Sequence, residues 1–293
     1  MLKKRGMRQV RLRSENDEFQ LIEALKHNRQ KRKKRAEFFV EGVRNINAAV
    51  ERGWTIKAFL SVADRELSSW ANELLQRNLA EKHLLLASSL MEKLSDKEQT
   101  SELLAVVAMP EDDLSRIPSG PNQSFVVLDR PSSPGNLGTV IRSCDAFQIA
   151  GIVVTGHGVD PYEPRVVRAT MGSFFAVPVV RVPSQRELMP WIERLRAEPA
   201  GLHIVGTSAN ASVSIREGGY ARRCLFLFGN ETSGLSAGYR ELCDAMVKIP
   251  MGGSASSLNL SCAVSIALYE SFGARMSSLT TPTNSAGSTG LAT

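Results

Sequence analysis

Several features that define large classes of protein are missing from this sequence. It contains no run of about 18 apolar residues, which excludes the usual membrane-spanning helix. Its four cysteines form no CxxC pair and are accompanied by only four histidines, so we predict no zinc site. Because Cys144, Cys224, Cys243 and Cys262 each lie among apolar neighbours, we expect buried free thiols in a reducing compartment.

Three common motifs of ligand-binding proteins are also missing. No GxGxxG follows a predicted strand, which excludes the usual dinucleotide site. There is neither a GxxxxGK[ST] P-loop nor a GxSxG elbow with a following acid and histidine. P-loop NTPases and the common serine hydrolases are therefore excluded, and any ligand must be bound in another way.

What the sequence does contain is a strongly basic N-terminus. Residues 1–35 hold 13 Lys and Arg against four acids, whereas the whole chain carries a net charge of only +6. A basic arm on a near-neutral body is typical of proteins that bind the phosphate backbone of a nucleic acid. The alternative is a solvated, charge-rich helix without a partner. The predicted nucleic-acid contacts are Lys31, Arg32, Lys33, Lys34, Arg35 and Arg44.

The same N-terminus lacks the apolar core and the small-residue cleavage site of a secretory signal. We therefore expect a cytoplasmic protein, with an organellar transit segment as the open alternative. Composition and periodicity divide the chain into a basic arm or helix, a small α/β unit, a proline-rich linker, a larger α/β unit and a disordered tail. Their predicted bounds are 1–35, 36–109, 110–123, 124–275 and 276–293. In the larger unit, strands alternate with helices, which predicts a mostly parallel sheet covered on both faces.

Two predicted strands of the larger unit end in glycines and polar residues. The strand 225–228 stops at Gly229, and the strand 246–251 stops at Gly252, shortly before a helix that opens after Ser257. Glycines at strand ends beside a helix N-terminus let backbone N–H and C=O groups approach a ligand closely. The sequence therefore predicts a binding site here.

Five polar residues of the larger unit are candidates for chemistry, and each has an ordinary structural alternative. Asn136 ends a loop where a helix starts, so it is either an N-cap or a site residue. Arg142 follows one turn after Gly138, whose missing side chain leaves room for a phosphate or ribose; a solvated surface arginine is the alternative.

The other three candidates follow the predicted strands 225–228 and 246–251. Glu231 either caps the next helix or acts on a substrate. Ser257 and Asn259 either cap the last helix or meet a ligand bound at its end.

In combination these residues resemble the three motifs of the SpoU/TrmH-type RNA methyltransferases of the SPOUT class. The matching segments are Asn136-x-Gly138-x-x-x-Arg142, Gly229-Asn230-Glu231-x-x-Gly234-Leu235, and Ile249-Pro250-Met251 with Ser257-Leu258-Asn259-Leu260-Ser261. Residues 38–42 and 104–107 are similar to the substrate-binding domain often fused to this family, which resembles RNA-binding ribosomal proteins.

This resemblance implies S-adenosylmethionine as the methyl donor and a ribose 2′-hydroxyl of RNA as the acceptor. It also implies a C-terminal trefoil knot and a homodimer in which one subunit's arginine lies near the other's cofactor. Ribosomal RNA is favoured over transfer RNA. The nucleotide, and the choice between housekeeping and antibiotic self-protection, stay open. The alternatives are a non-catalytic RNA-binding protein and a methyltransferase that acts on a base nitrogen.

The resemblance assigns the family's functional roles to the matching residues of this chain. Arg142 would contact the target nucleotide and help to activate its hydroxyl, whereas Asn136, Glu231, Ser257 and Asn259 would position the reacting groups. The cofactor would be held by Thr207, Gly229, Ile249, Met251 and Leu258. Positioning can supply roughly 7–11 kcal/mol of catalysis, and no metal is needed.

Overall fold

A computed structural model describes residues 7–218, 220 and 223–280 as two β-sheets with their helices. The first unit has strands β1 (Arg8–Leu12), β2 (Glu37–Glu41), β3 (Ile56–Val62), β4 (Ala80–Leu86) and β5 (Leu103–Ala108). Its helices are α1 (Asp17–His27), α2 (Arg29–Arg35), α3 (Val43–Glu51), α4 (Ser69–Gln76) and α5 (Ser88–Leu94). The sheet order is β1-β4-β3-β5-β2, with β5 antiparallel to both of its neighbours.

The second unit is built on a seven-stranded sheet. Its strands are β6 (Phe125–Asp129), β7 (Gly151–Thr155), β8 (Val179–Val182), β9 (His203–Thr207), β10 (Val213–Ser214), β11 (Cys224–Phe228) and β12 (Ala245–Lys248). Its helices are α6 (Pro134–Ala146), α7 (Pro164–Ala169), α8 (Gln185–Ala197), α9 (Ala237–Leu242) and α10 (Leu260–Thr280). The order is β10-β12-β9-β11-β6-β7-β8, and every pairing is parallel.

Both faces of this parallel sheet are covered, as predicted. Successive strand residues point to opposite faces, so Phe125 packs in one apolar cluster with Trp191 of α8. Val126, its neighbour in β6, packs in a different cluster with Leu137 of α6 and Val264 of α10. Apolar runs such as Phe125–Asp129 are thus buried on both sides, which is why they lack polar alternation. Among the described residues, no helix is long and apolar enough to cross a membrane.

The two units share one apolar cluster at their junction. Phe38 of β2 packs against Tyr162, with their ring centroids 5.1 Å apart, and against Phe174, at 5.7 Å. The Trp54 indole N–H donates a hydrogen bond of 3.1 Å to the carbonyl oxygen of Phe175. Because both partners in each contact are largely buried, the core continues across the junction.

Residues 7–35 are more ordered than the predicted arm. Arg8–Leu12 form the edge strand β1, paired in parallel with β4, and only its last residue is buried. Its exposed arginines and glutamine hide the strand pattern. Asn16 caps α1 by accepting a hydrogen bond from the Phe19 N–H. The polybasic run is a helix of its own, α2, capped by Asn28.

The C-terminal elements also differ from their predicted bounds. Strand β12 ends at Lys248, so Ile249 and Met251 lie in the loop that follows it. Helix α10 continues to Thr280, so residues 276–280 of the predicted disordered tail are helical, and residues 281–293 lie outside the described residues. All four cysteines are free, but Cys243 is half-buried and Cys262 is exposed on α10, contrary to the prediction of burial.

Candidate active site

The predicted cofactor residues follow three neighbouring strands, β12, β9 and β11. Parallel strands place their carboxyl ends at one edge of the sheet, where open α/β folds bind ligands. Thr207 lies opposite Val247 in the register, two residues before Ile249, and Gly206 lies opposite Leu227, two residues before Gly229. Thr207, Gly229 and Ile249 therefore meet at this edge.

Gly229 lies where the chain folds back onto itself. The Asn230 N–H donates to the Gly234 carbonyl at 3.1 Å, and the Gly234 N–H donates to the Asn230 carbonyl at 2.9 Å. A Cβ atom built on Gly229 would lie 2.0 Å from the backbone of Gly234 and of Leu235, far inside contact distance. Only glycine fits here, so the turn presents bare backbone at the strand end, as close approach to an adenosyl group requires.

The third cofactor segment is an exposed loop. Met251 and Leu258 are each 38% exposed, and Ser257 between them is also exposed. Large apolar side chains beside the polar ends of β9 and β11 offer a surface for the apolar faces of a nucleoside. The residues of this edge therefore fit S-adenosylmethionine: bare backbone at Gly229 for polar contacts, and Met251 and Leu258 for apolar ones.

Glu231 is held by four hydrogen bonds from the loop that precedes α6 and from the first turn of that helix. Its carboxylate accepts from the Ser132 N–H at 3.0 Å, the Ser132 hydroxyl at 2.8 Å, the Ser133 N–H at 3.2 Å and the Asn136 side-chain amide at 3.0 Å. Partial burial raises the pKa of Glu231, but the hydrogen bonds from Asn136 and Ser132 outweigh it, so the pKa lies below the ordinary value. Glu231 is therefore an ionised acceptor.

The network continues from Asn136 to the start of α10. The Asn136 Oδ1 accepts from the Asn259 Nδ2 at 2.9 Å, and the Asn259 Oδ1 accepts from the Ser261 N–H at 2.8 Å and the Ser261 hydroxyl at 2.7 Å. Three of the five predicted catalytic residues thus form one chain of hydrogen bonds. Asn259, rather than Ser257, is the residue that caps α10.

Asn136 itself is not the cap of α6. That role belongs to Ser133, whose hydroxyl accepts from the Asn136 backbone N–H, and α6 begins three residues before the predicted start. The side chain of Asn136 is thereby left for Glu231 and Asn259. The simple structural alternative for Asn136 is therefore wrong.

Asp129 and the side chain of Asn230, to which sequence reasoning assigned no role, join the end of β6 to the second motif. The Asn230 side chain donates to the Arg130 carbonyl at 2.8 Å. Asp129 at the end of β6 accepts from the Ser236 N–H at 2.9 Å and from the Arg130 guanidinium. Burial raises the pKa of Asp129, but these bonds lower it below its ordinary value. Asp129 and Asn230 could have been identified as neighbours only by knowing that β6 and β11 are adjacent strands of the sheet.

Arg142 lies outside this network. It is exposed on α6, about 9 Å along the helix axis from Asn136, and forms no ion pair with any residue that the structure describes. The space predicted over Gly138 is filled, since a Cβ there would lie 2.4 Å from the Ala169 Cβ of α7. Ser257 is likewise exposed, without a described partner in the network. Both are open to a ligand or a second chain.

The predicted nucleic-acid contacts divide into two groups. Lys33, Lys34, Arg35 and Arg44 are exposed, and Lys31 is half-buried, so all five can reach a partner. Arg32 cannot, and this prediction is wrong. Its guanidinium is buried, pairs with Asp160 at 2.7 Å and donates to two carbonyls at the end of α1.

Comparison with known families gives two matches. The model of the SpoU rRNA Methylase family matches residues 123–269, and that of the SpoU L30e-like domain matches residues 16–105. The first covers the seven-stranded sheet with all three motifs, and the second covers most of the smaller unit.

Individual proteins resemble the chain along most of its length. The 23S rRNA (uridine(2479)-2′-O)-methyltransferase of Streptomyces viridochromogenes is 45% identical over 274 residues, which are 93% of this chain and 95% of that protein. The 23S rRNA (guanosine(2553)-2′-O)-methyltransferase RlmP of Bacillus subtilis is 27% identical over 243 residues, 83% of this chain and 91% of that protein.

Solved structures agree with this. The SpoU methyltransferase AviRb of S. viridochromogenes in complex with the cofactor AdoMet superimposes with a TM-score of 0.86 at 46% identity, covering 89% of this chain and 99% of that one. The AdoMet-bound rRNA methyltransferase of Sinorhizobium meliloti superimposes with a TM-score of 0.79 at 29% identity, covering 90% of this chain and 97% of that one.

Proposed function

Because the chain belongs to the SpoU rRNA methylase family, we propose that it transfers a methyl group from S-adenosylmethionine to a ribose 2′-hydroxyl of 23S rRNA. The observation that carries the proposal is the chain of hydrogen bonds through Glu231, Asn136 and Asn259, beside the bare backbone turn at Gly229. A non-catalytic RNA-binding protein would have no use for three polar side chains locked to one another at a ligand-binding sheet edge.

Bound S-adenosylmethionine supplies an electrophilic methyl group, so the protein has to align a hydroxyl with it rather than provide strong acid or base chemistry. Thr207, Gly229, Ile249, Met251 and Leu258 would hold this cofactor at the sheet edge, largely through backbone groups. None of these contacts needs a metal ion, and we propose that the reaction uses none.

Glu231 acts in this proposal as a positioning residue. Its oxygens already accept four hydrogen bonds, and its pKa is lowered, so it is a poor base for the ribose hydroxyl. It fixes the Asn136 amide, which in turn fixes Asn259.

Arg142 is proposed to bind the phosphate beside the target ribose and to lower the proton affinity of the 2′-hydroxyl. An arginine pKa above about 12 makes it unsuited to accept the proton itself. We therefore assign the released proton to solvent. Arg142→Ala should abolish turnover and leave cofactor binding intact, and unchanged turnover would contradict this role.

For the substrate we propose ribosomal RNA over transfer RNA, with a uridine as the first nucleotide to test. The support is the 45% identity to the enzyme named for uridine 2479 of 23S rRNA. We propose a cytoplasmic location as well, because ribosomal RNA is the proposed substrate. We also keep as proposals a homodimer, a trefoil knot in the larger unit, and a domain boundary in the linker 110–123.

The test is transfer of labelled methyl from S-adenosylmethionine to the RNA of a strain that lacks this protein. We expect label in 23S rRNA, in a dinucleotide that resists nuclease, since a 2′-O-methyl group blocks cleavage at its own linkage. Label in a mononucleotide as a methylated base would establish base methylation instead. No transfer and no cofactor binding would overturn the enzyme assignment.

A further inference from the structure

A groove separates helices α1 and α2 from the loop that joins β7 to α7. Its volume is about 690 Å³; His27 and Arg29 line one wall, and Glu163 and Arg165 line the other. The walls therefore come from the two different units. Because the loop follows β7, the groove opens at the same carboxyl edge of the parallel sheet as the candidate active site.

The lining of the groove is basic. It contains five Lys and Arg side chains against three carboxylates. Two of these carboxylates are already paired, Asp96 with Lys26 at 2.9 Å and Asp160 with Arg32 at 2.7 Å. These pairs neutralise Lys26 and Arg32, and Arg168 also contacts Asp96 at 3.4 Å. Arg29 and Arg165 are thus left against the single carboxylate of Glu163 in the lining.

Two arginines on opposite walls are available to a ligand. Arg29 and Arg165 are both exposed, and neither forms an ion pair within the part of the chain that the structure describes. Arg29 donates a hydrogen bond of 3.0 Å to the Gly158 carbonyl, which fixes its guanidinium at the groove. The exposed Lys33 and Lys34 of α2 extend the positive surface beyond it.

The floor of the groove touches the loop that carries the catalytic network. The Val159 N–H donates to the Pro131 carbonyl at 2.8 Å. A Cβ on Gly158 would lie 2.9 Å from that same oxygen, so the two loops are in close contact. The next residue, Ser132, hydrogen-bonds Glu231. The groove and the catalytic network therefore border the same pair of contacting loops.

We infer that this groove binds the sugar-phosphate backbone of the substrate RNA next to the methylated nucleotide, with Arg29 and Arg165 contacting phosphates from opposite walls. The inference rests on the proposed function, since it takes RNA as the substrate. Phosphate contacts fix the register of a nucleic acid on a protein without reading its sequence. The groove would thus place the target ribose at the Asn136–Glu231 edge.

The test uses the full-length protein and a protein-free 23S rRNA transcript. Affinity is measured against salt concentration for the wild type, Arg29→Gln, Arg165→Gln and the double variant. Each lost phosphate contact should lower the slope of log affinity against log salt by about 0.7–0.9, and the double variant should lose about twice that. Arg194→Gln, an exposed arginine on α8 at the other face of the sheet, is the matched control and should keep the wild-type slope.

Wild-type slopes in the groove variants would overturn the inference, even if the wild type methylates 23S rRNA. A wild type that transfers no methyl would instead overturn the proposed function, while the salt slopes still report on the groove. Polyglutamate serves as a second probe: if it shows the same dependence on Arg29 and Arg165, the groove is a general anion surface and the RNA assignment is wrong. Thermal unfolding and cofactor titration check that each variant is folded.

Discussion

At the scale of single residues, the turn at Gly229 most strictly requires one particular residue type. Gly229→Ala would force a Cβ to within 2.0 Å of the Gly234 backbone, and the clash is with main chain rather than with a flexible side chain. The turn must therefore move, and we expect S-adenosylmethionine binding, measured by calorimetry, to be lost.

Gly120→Ala is the control for that substitution. Gly120 lies in the linker before β6, and a Cβ added there would meet only the flexible Gln123 side chain, at 3.4 Å. This variant should therefore bind the cofactor normally and melt like the wild type. Normal cofactor binding by Gly229→Ala would show that the turn is not part of the site.

The amide groups of Asn136 and Asn259 have only one orientation that satisfies every partner. Glu231 can only accept, so the Asn136 amide must point its NH2 at Glu231 and its oxygen at Asn259. Asn259→Asp would place a carboxylate against that oxygen, and turning the Asn136 amide would only move the clash to Glu231.

We therefore expect Asn259→Asp to displace the reacting groups and to lower turnover by about 100-fold, the typical effect of a misplacement of about 1 Å. Cofactor affinity should change little, because Asn259 is not among the residues assigned to the cofactor. Steady-state kinetics on RNA separates the two effects. The control is Asn122→Asp, an exposed asparagine in the linker before β6, and turnover equal to this control would refute the role of the network.

At the scale of elements, helix α2 is tied to the larger unit by a buried charge pair. Both side chains of the Arg32–Asp160 pair are 3% exposed, and Asp160 also accepts from Arg181 at 3.3 Å. Asp160→Asn leaves the buried Arg32 guanidinium without its carboxylate, whereas Arg181 keeps Asp112 at 2.8 Å. Removing one partner of a buried pair typically costs about 3–5 kcal/mol, and we expect a loss of that size in the free energy of unfolding.

Urea denaturation measures that loss, and an exposed pair provides the comparison. Lys57 and Glu81 have side chains that are 33% and 57% exposed, so Lys57→Met should cost less than about 1 kcal/mol. Equal losses in Asp160→Asn and Lys57→Met would mean that the Arg32–Asp160 pair does not hold the units together.

Helices and strands with clear hydrophobic periodicity could be predicted from the sequence. The exposed edge strand β1 and the details of helix capping could not. The apolar residues of 56–62 and 103–108 predict two strands, and β3 and β5 have these bounds because their residues are nearly all buried. Strand β1 was missed because only Leu12 of its five residues is buried and the pairing partner, β4, lies some 70 residues away. Hydrophobic periodicity indicates which residues are buried, but it does not identify a pairing strand that is distant in the sequence.

The same limit applies to the site. The motif residues were found, but the hydrogen bond from Asn259 to Asn136 joins positions 123 residues apart. Arg32 shows the opposite error. It lies in a run of six basic and polar residues that the sequence predicts to be exposed together. Asp160, 128 residues away, pairs with Arg32 and buries it. Only the folded chain distinguishes Arg32 from Lys33.

At the scale of the whole molecule, the position of Arg142 raises the question of which subunit it serves. It is exposed on α6, outside the network of its own chain. Helix α10, which packs on α6, exposes Tyr269 to 65% and Met276 to 48%, an apolar surface that suits a second copy. The proposed dimer would bring the Arg142 of one subunit to the cofactor of the other.

Mixing two inactive variants tests that arrangement. Arg142→Ala keeps a working cofactor site and Gly229→Ala keeps a working arginine. If arginine and cofactor act across the interface, each mixed dimer has one site with both parts intact and one site with neither. Random assembly from equal amounts makes half of the dimers mixed, so about a quarter of wild-type activity should return.

If Arg142 instead serves the cofactor of its own chain, every site in the mixture lacks one part, and co-expression restores nothing. Doubly substituted protein co-expressed with wild type controls for assembly, since it must also form mixed dimers. Sedimentation must show dimers in each sample, because monomers with full wild-type activity would refute the shared site altogether. Recovery of activity therefore decides whether the catalytic unit is one chain or two.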